Sequence, residues 1–256
     1  MTYFINDLLV MIERNLLRYV RLPQLLIFST IQPVMFLLLF TYVFGGAIHT
    51  GTVNYIQYLL PGILAQSVIF GAIQTGVGLA DDLQKGLIDR FRSLPMARSA
   101  VLAGRTLADV MRNIFVILLM LAVGYAIGFR FEGSVGDAFT AFGILLYFGF
   151  AFSWISATIG IAVKNTETAQ VAGFIWVFPL VFASSAFVPV ETMPHLLQVF
   201  AEWNPISIVV NATRMLALGG ADPVLRARAL VEAFVWIAGI LIVFVPLAVR
   251  LYRRTV

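Results

Sequence analysis

Charge is scarce in this chain and cysteine is missing altogether. Only 12% of the 256 residues are Asp, Glu, Lys or Arg, about half the share of a soluble domain. Without cysteine there is no disulfide framework, no thiolate metal site and no Cys nucleophile. Two histidines exist, His49 and His195, and neither has a carboxylate or a second histidine at metal-ligand spacing. No G-x-x-x-x-G-K-[ST] loop occurs, so the chain is not expected to hydrolyse nucleotide by itself. Interdomain linkers, repeats and low-complexity runs are also lacking, which leaves residues 1–256 as one domain.

What is present is apolar surface: 61% hydrophobic residues, among them 22 Phe. No water-soluble core of this size needs so much, so the fold class is an all-α polytopic membrane protein. A crossing helix takes about 20 apolar residues, and six segments qualify: 24–45, 56–80, 107–129, 138–163, 171–189 and 232–251. None has a charge near its middle, since Asp109, Arg112, Glu232 and Arg250 sit toward ends. Pro33 and Pro179 fall inside the first and fifth spans, where each removes a backbone donor and favours a kink. Gly124 and Gly128 make a GxxxG pair in the third, a spacing that suits close helix packing.

The cations orient the spans. Arg14, Arg18 and Arg21 precede the first; Lys85, Arg90, Arg92, Arg98 and Arg105 separate the second from the third; Lys164 follows the fourth; Arg250, Arg253 and Arg254 close the chain. Arg130, Arg214, Arg226 and Arg228 oppose them, three of the four in one long loop. The positive-inside rule then places both termini in the cytoplasm, in a multi-pass protein of the bacterial inner membrane. Residues 1–23 are no signal peptide, because their charges run among the apolar residues instead of preceding them. On a helical wheel Asp7, Arg14, Arg18 and Arg21 fall within roughly 60°. That suits a helix lying on the membrane surface; a polar lead-in to the first span is the plainer alternative.

The outer loop, 190–231, carries its own signals. Pro194 suits the start of a short helix through Phe200, and Asn204-Pro205 reads as an N-cap followed by a first-turn proline. That second helix should stop at Gly219-Gly220. Either the pair dips back into the outer leaflet as a re-entrant hairpin, or it lies on the surface as a linker.

Residues 79–105 hold eight of the 30 formally charged side chains. Drawn as a helix over 81–94, Asp82, Lys85, Asp89 and Arg92 lie within roughly 80° of one another, opposite Leu83, Leu87, Phe91 and Leu94. Pro95 ends it, and a new helix starts near Ser99 and runs into the third span with Arg105, Asp109 and Arg112 on one stripe. Topology signalling needs only cations; mixed signs on one face suit a protein partner.

Two stretches, GLIDRFRSLPMARSAVLAGR at 86–105 and FPLVFASSAFVPVETMPHLLQVFAEWNPIS at 178–207, resemble motifs of the ABC-2 type permeases, in particular the daunorubicin-resistance exporter group. The likeness covers essentially the whole chain. It implies the type V exporter fold of six membrane helices, with the permease paired with a second copy or with a similar permease. It also implies two copies of a separate ABC ATPase subunit, which binds ATP and Mg; the permease itself holds no cofactor, no metal and no nucleic acid. In that family the segment after the second span is a coupling helix, which carries over to Asp82, Lys85, Gly86, Asp89, Arg90, Phe91, Arg92 and Pro95. The surface helix would add Arg14, Arg18 and Arg21. Many relatives have a glutamate early in the coupling segment where this chain has aspartates and Gly86.

The expected activity is export of an amphipathic drug, antibiotic or lipid, powered by the partner's ATP. Its path would run over Gln32 and Phe36 of span one, Gln66, Phe70 and Gln74 of span two, and Phe178, Phe182 and Ser185 of span five. Pro189, Pro194 and Pro205 would shape an outer gate. Export of a polysaccharide or lipid-linked glycan is the alternative within the family. A gradient-driven carrier or channel is disfavoured by the lack of carboxylates in the spans.

Overall fold

The computed structural model describes residues 2–21, 23–48, 50, 53–87 and 98–255, and every regular element within them is helical. In chain order these are α1 (Thr2–Arg21), α2 (Pro23–Leu39) continued by a π-helical turn (Phe40–Phe44), α3 (Tyr55–Gln84), α4 (Arg98–Ala126), α5 (Val135–Val163) and α6 (Thr166–Phe182). A 3₁₀ turn (Val190–Thr192), α7 (His195–Trp203), α8 (Pro205–Leu218) and α9 (Pro223–Thr255) follow. Among the described residues four helices are long and apolar enough to cross a membrane, lying within α3, α4, α5 and α9; apolar stretches of α2 with its π turn, α6 and α8 are shorter. The chain is a multi-pass membrane protein.

Helix α3 is the spine. It is apolar on every side and therefore buried on every side, packing most extensively on α5 and also on α2, α4, α6 and α8. The α3–α5 contact is backbone against backbone. A Cβ at Gly160 would overlap the Gly76 carbonyl, and one at Gly76 would overlap the Ser156 carbonyl, so only hydrogen fits at either position. Helix α9 is the opposite case. It leans on α5 and α8 and turns Phe234, Val235, Ile242 and Val243 outward, a face suited to lipid.

Several sequence-based boundaries move. The first turn of α6 is capped by Asn165, which accepts from the Thr168 N–H, and α6 ends at Phe182, so 183–189 is not helical as the 171–189 span supposed. Helix α9 begins at Pro223, which makes Arg226 and Arg228 helical and not loop residues. Gly128 is not a packing glycine: it lies beyond α4 at φ +111, while Gly124 alone meets Leu60. The separate helix expected over 81–94 is corrected at its start, while residues 88–94 lie outside the described residues. Asp81 and Asp82 belong to the last turn of α3, which closes at Lys85 and Gly86, the latter at φ +63, a conformation glycine adopts without strain. Asp89, Arg90, Phe91, Arg92 and Pro95 lie outside the described residues, as do His49 and the side chain of Arg18.

The outer signals hold. Pro194 precedes α7, and the Asn204 side chain accepts from the Ile206 N–H with Pro205 at the first position of α8, which ends at Gly219. Helix α5 opens with a capping box between Ser134 and Asp137.

If the α3–α5 contact fixes the fold, Gly160→Ala should destabilise the protein by about 1–3 kcal/mol through overpacking. Gly143→Ala, at a position with nothing within 4 Å of a new Cβ, should leave the melting temperature level or slightly raised; thermal unfolding of the two variants in detergent makes the comparison.

Candidate functional site

A cavity of about 550 Å³ opens between α2, α3, α4 and α6. Its walls are Ser29, Gln32 and Pro33 from α2; Gln66, Phe70 and Gln74 from α3; Arg105, Asp109 and Arg112 from α4; and Phe174 from α6. Its charged mouth includes Asp81 and Lys85, at the end of the bundle where α1 packs. Four of the eight residues expected on a cargo path therefore meet here: Gln32, Gln66, Phe70 and Gln74.

The other expected aromatics are joined to the cavity's Phe70 and Phe174 by ring contacts. Phe70 and Phe174 are in ring contact with each other and with Phe178, which stacks on Phe182 at 4.9 Å. Phe182 meets Phe187 at 5.2 Å, Phe187 stacks on Phe40 at 4.6 Å, and Phe40 meets Phe44 at 5.1 Å. Phe36 touches Phe40, Phe182 and Phe187. Eight phenylalanines thus form one ladder along α2 and α6, at spacings where aromatic pairs attract. Phe40, Phe44, Phe174 and Phe187 were absent from the sequence-based path. The i,i+4 repeat of Phe174, Phe178 and Phe182 was the signal that could have found the row.

Helix α4 carries its charges deeper than the sequence suggested. Because the helix begins at Arg98, Asp109 and Arg112 lie well inside it, both buried. The Thr75 hydroxyl donates to Asp109, whose other oxygen is 3.6 Å from Arg112, and Arg112 donates to the Asn113 amide oxygen at 3.2 Å. Room for the guanidinium groups comes from two glycines seven residues apart on α3: a Cβ at Gly71 would crowd Arg112, and one at Gly78 would overlap Arg105. Carboxylates are therefore present inside the bundle after all, each held in an ion pair.

Asp82 does not point outward, as a partner-contacting residue would; its side chain is 5% exposed. One carboxylate oxygen takes Arg105 at 3.0 Å and the other takes Arg14 at 3.3 Å. The reason is geometric: with α3 continuous to Gln84, Asp82 lies one turn beyond Gly78 and faces α4 and α1. Close packing of α1 is secured at Gly104, where a Cβ would sit 2.5 Å from that of Met11. Lys85 instead pairs with Asp81 at 2.8 Å on the surface, and Arg21 is exposed.

At the far end Ser185 lies apart from the residues that line the cavity. It is buried in a polar knot around Arg214, which the sequence reading had left as a loop cation. Arg214 donates to the carbonyls of Tyr58 and Ser185 and to the Asn211 side chain at 2.8–3.0 Å, and its guanidinium lies 3.5 Å from the centre of the Tyr58 ring. The Ser185 hydroxyl donates to Asn211, Tyr58 donates to the Ser185 carbonyl and Tyr55 to that of Phe187. The turn-rich run 183–187 crosses α3 at Gly62, where a Cβ would overlap the Ala186 carbonyl. Asn204 caps α8 and also donates to the Leu180 and Ala183 carbonyls. Pro189, Pro194 and Pro205 each stand at the start of one of the elements above this knot.

A two-ended bundle with a polar cavity is what a permease needs, and the sequence comparisons agree. The ABC-2 type transporter family model matches residues 6–218. The chain belongs to the ABC-2 type transporter family. It is 37% identical over 241 residues to the daunorubicin resistance ABC transporter permease protein DrrB1 of Streptomyces coeruleorubidus, covering 94% of this chain and 84% of that one. The probable doxorubicin resistance permease DrrC of Mycobacterium tuberculosis is 30% identical over 254 residues, 98% of this chain and 90% of the relative. A putative transport permease, ycf38 of Cyanophora paradoxa, is 25% identical over 84% of the chain and 75% of its own length.

In this ABC-2 permease the Asp82 brace should matter far more than the surface pair beside it. Asp82→Asn removes the charge that holds the buried Arg105 and should cost about 3 kcal/mol, whereas Lys85→Ala should fall within ~0.5 kcal/mol of wild type. Equal melting temperatures for the two in detergent would refute the brace.

Proposed function

We propose that this chain is the membrane subunit of an ATP-driven exporter for amphipathic, aromatic-rich molecules such as drugs or antibiotics. The observation that carries the reading is the union of a polar cavity with a phenylalanine ladder: Phe70 and Phe174 belong to both. A cargo with a polar part and flat rings is matched by such a surface, and the printed names of the relatives concern daunorubicin and doxorubicin resistance. A glycan is matched less well, because the ladder offers no hydroxyl or amide along its length.

In this reading the protein crosses a bacterial inner membrane six times, with α2 and α6 as the two shorter crossings. Both termini face the cytoplasm, since the basic residues gather at the α1 end. The segment between α3 and α4 receives a separate ABC ATPase, two copies serving a pair of permeases. Displacement of that segment reaches α3 and α4 together because Asp82 and Arg105 bind them to α1. At the outer end α7 and α8 shift about Pro189, Pro194 and Pro205 to release cargo.

Doxorubicin efflux from cells expressing the permease with its ATPase tests the path. Replacing Phe178 and Phe182 together with Ala removes two rings, each worth about 1 kcal/mol to an aromatic cargo, and should cut efflux roughly thirtyfold, with ATPase activity retained. Undiminished efflux would take the ladder off the path.

A further inference from the structure

Hydroxyls and ionised groups on and beside the cavity wall are paired within the protein, although the Nε atoms of Arg105 and Arg112 reach no acceptor. The Ser67 hydroxyl donates to the Ile63 carbonyl at 2.6 Å, Thr75 serves Asp109, and Asp109 serves Arg112. Gln66 departs from this pattern. It is 2% exposed, and its Oε1 reaches no donor. Gln32 and Gln74, on the same wall, are not fully buried, so a bond missing there costs less. A buried amide oxygen left bare is unfavourable, and a leucine of similar size would not carry that penalty.

Position sharpens the point. Gln66, Phe70 and Gln74 follow one another at i,i+4 and share a face of α3. One turn past Gln66, the Phe70 ring meets Phe174 at 5.7 Å across the same cavity. A vacant acceptor therefore stands one helical turn from a pair of rings. On the charged wall Arg105 and Arg112 are ion-paired with Asp82 and Asp109, and the atoms left bare there, the Nε of each guanidinium, are donors; the Gln66 Oε1 is an acceptor.

We propose that Gln66 is the specificity-determining residue of the cavity, accepting a hydrogen bond from an N–H or O–H group borne next to a flat aromatic system. The inference rests on the cavity being the cargo site. A molecule with that donor restores the bond the protein leaves unmade; one of the same shape without it leaves Oε1 bare. Sites built around a buried hydrogen bond discriminate strongly against analogues that lack it.

Two neutral probes isolate the bond: N-phenyl-1-naphthylamine, which has one N–H, and its N-methyl derivative, which has none. Their fluorescence is titrated with the full-length permease in lipid nanodiscs, against empty nanodiscs, with no ATPase present. Wild type should bind the N–H probe about tenfold tighter than the N-methyl probe. Gln66→Leu should close that gap by weakening the N–H probe alone, without lowering the melting temperature. Phe70→Ala should weaken both probes and keep the gap. A gap that survives Gln66→Leu, or equal weakening of both probes by it, overturns the assignment to Gln66 while leaving the cavity as the cargo site. Saturable binding of neither probe by wild type would remove the cavity itself from the proposed function, whatever the efflux of the Phe178 and Phe182 variant shows.

Discussion

The contact between Gly76 and Gly160 sets the position of everything else. Two helices that touch backbone to backbone cannot slide without a side chain climbing over a carbonyl, so α3 is held in one register against α5. The features described above are then strung along α3 in order. Tyr55, Tyr58 and Gly62 meet the Arg214 knot; Gln66, Phe70 and Gln74 wall the cavity; Gly78 and Asp82 seat the arginines of α4 and α1. A helix that carries contacts at both ends and a cavity between them transmits displacement along its axis, because its own hydrogen bonds resist compression far more than its side-chain contacts resist shear.

The bundle neutralises buried charge in two different ways. Asp82 is an anion between two cations, and Asp109 is an anion beside one cation and a hydroxyl. Arg214 has no carboxylate among its hydrogen-bond partners and is held instead by two carbonyls, an amide oxygen and a ring face. The first arrangement is directional between helices and breaks as a unit when one partner is removed. The second spreads a single charge over dipoles belonging to α3, α8 and the 183–187 run, and so ties three segments through one side chain. Ion pairs are used where α1, α3 and α4 meet, and dipoles where chain segments without regular structure must be fixed.

Much of this was legible in the residues, for reasons that also explain what was not. Asn204-Pro205, Pro194 and Gly219 act through local backbone chemistry, and local chemistry can be read from neighbours in sequence. Glutamines stand out in apolar spans because a polar group there needs a partner or a cavity, and Gln32, Gln66 and Gln74 do line one. The direction of Asp82 was hidden, since a helical wheel assigns faces only relative to a known outside. Its wheel groups it with Lys85, yet Asp82 turns toward α4 and Lys85 toward solvent once the helix ends at Gly86. The pairing of Gly76 with Gly160, and of Gly71 and Gly78 with Arg112 and Arg105, joins residues from different helices, and no spacing within one helix encodes it. Arg214 was misplaced for a related reason: its partners are main-chain carbonyls, which leave no mark on composition.

The π turn at the end of α2 has a physical consequence for the ladder. Residues four apart on an α-helix drift by about 40° around its axis, so a row of rings at positions 36, 40 and 44 would begin to wind away from α6. The turn from Phe40 to Phe44 is closed by the wider i→i+5 pattern, which winds less per residue and reverses that drift. Phe36 and Phe44 are thereby kept on either side of Phe40, at 5.9 and 5.1 Å, and the row stays aligned with Phe182 and Phe187 opposite. A regular α-helix here would satisfy the backbone equally well. The departure from regularity is what keeps the aromatic surface continuous from the cavity to the Phe44 end of the row.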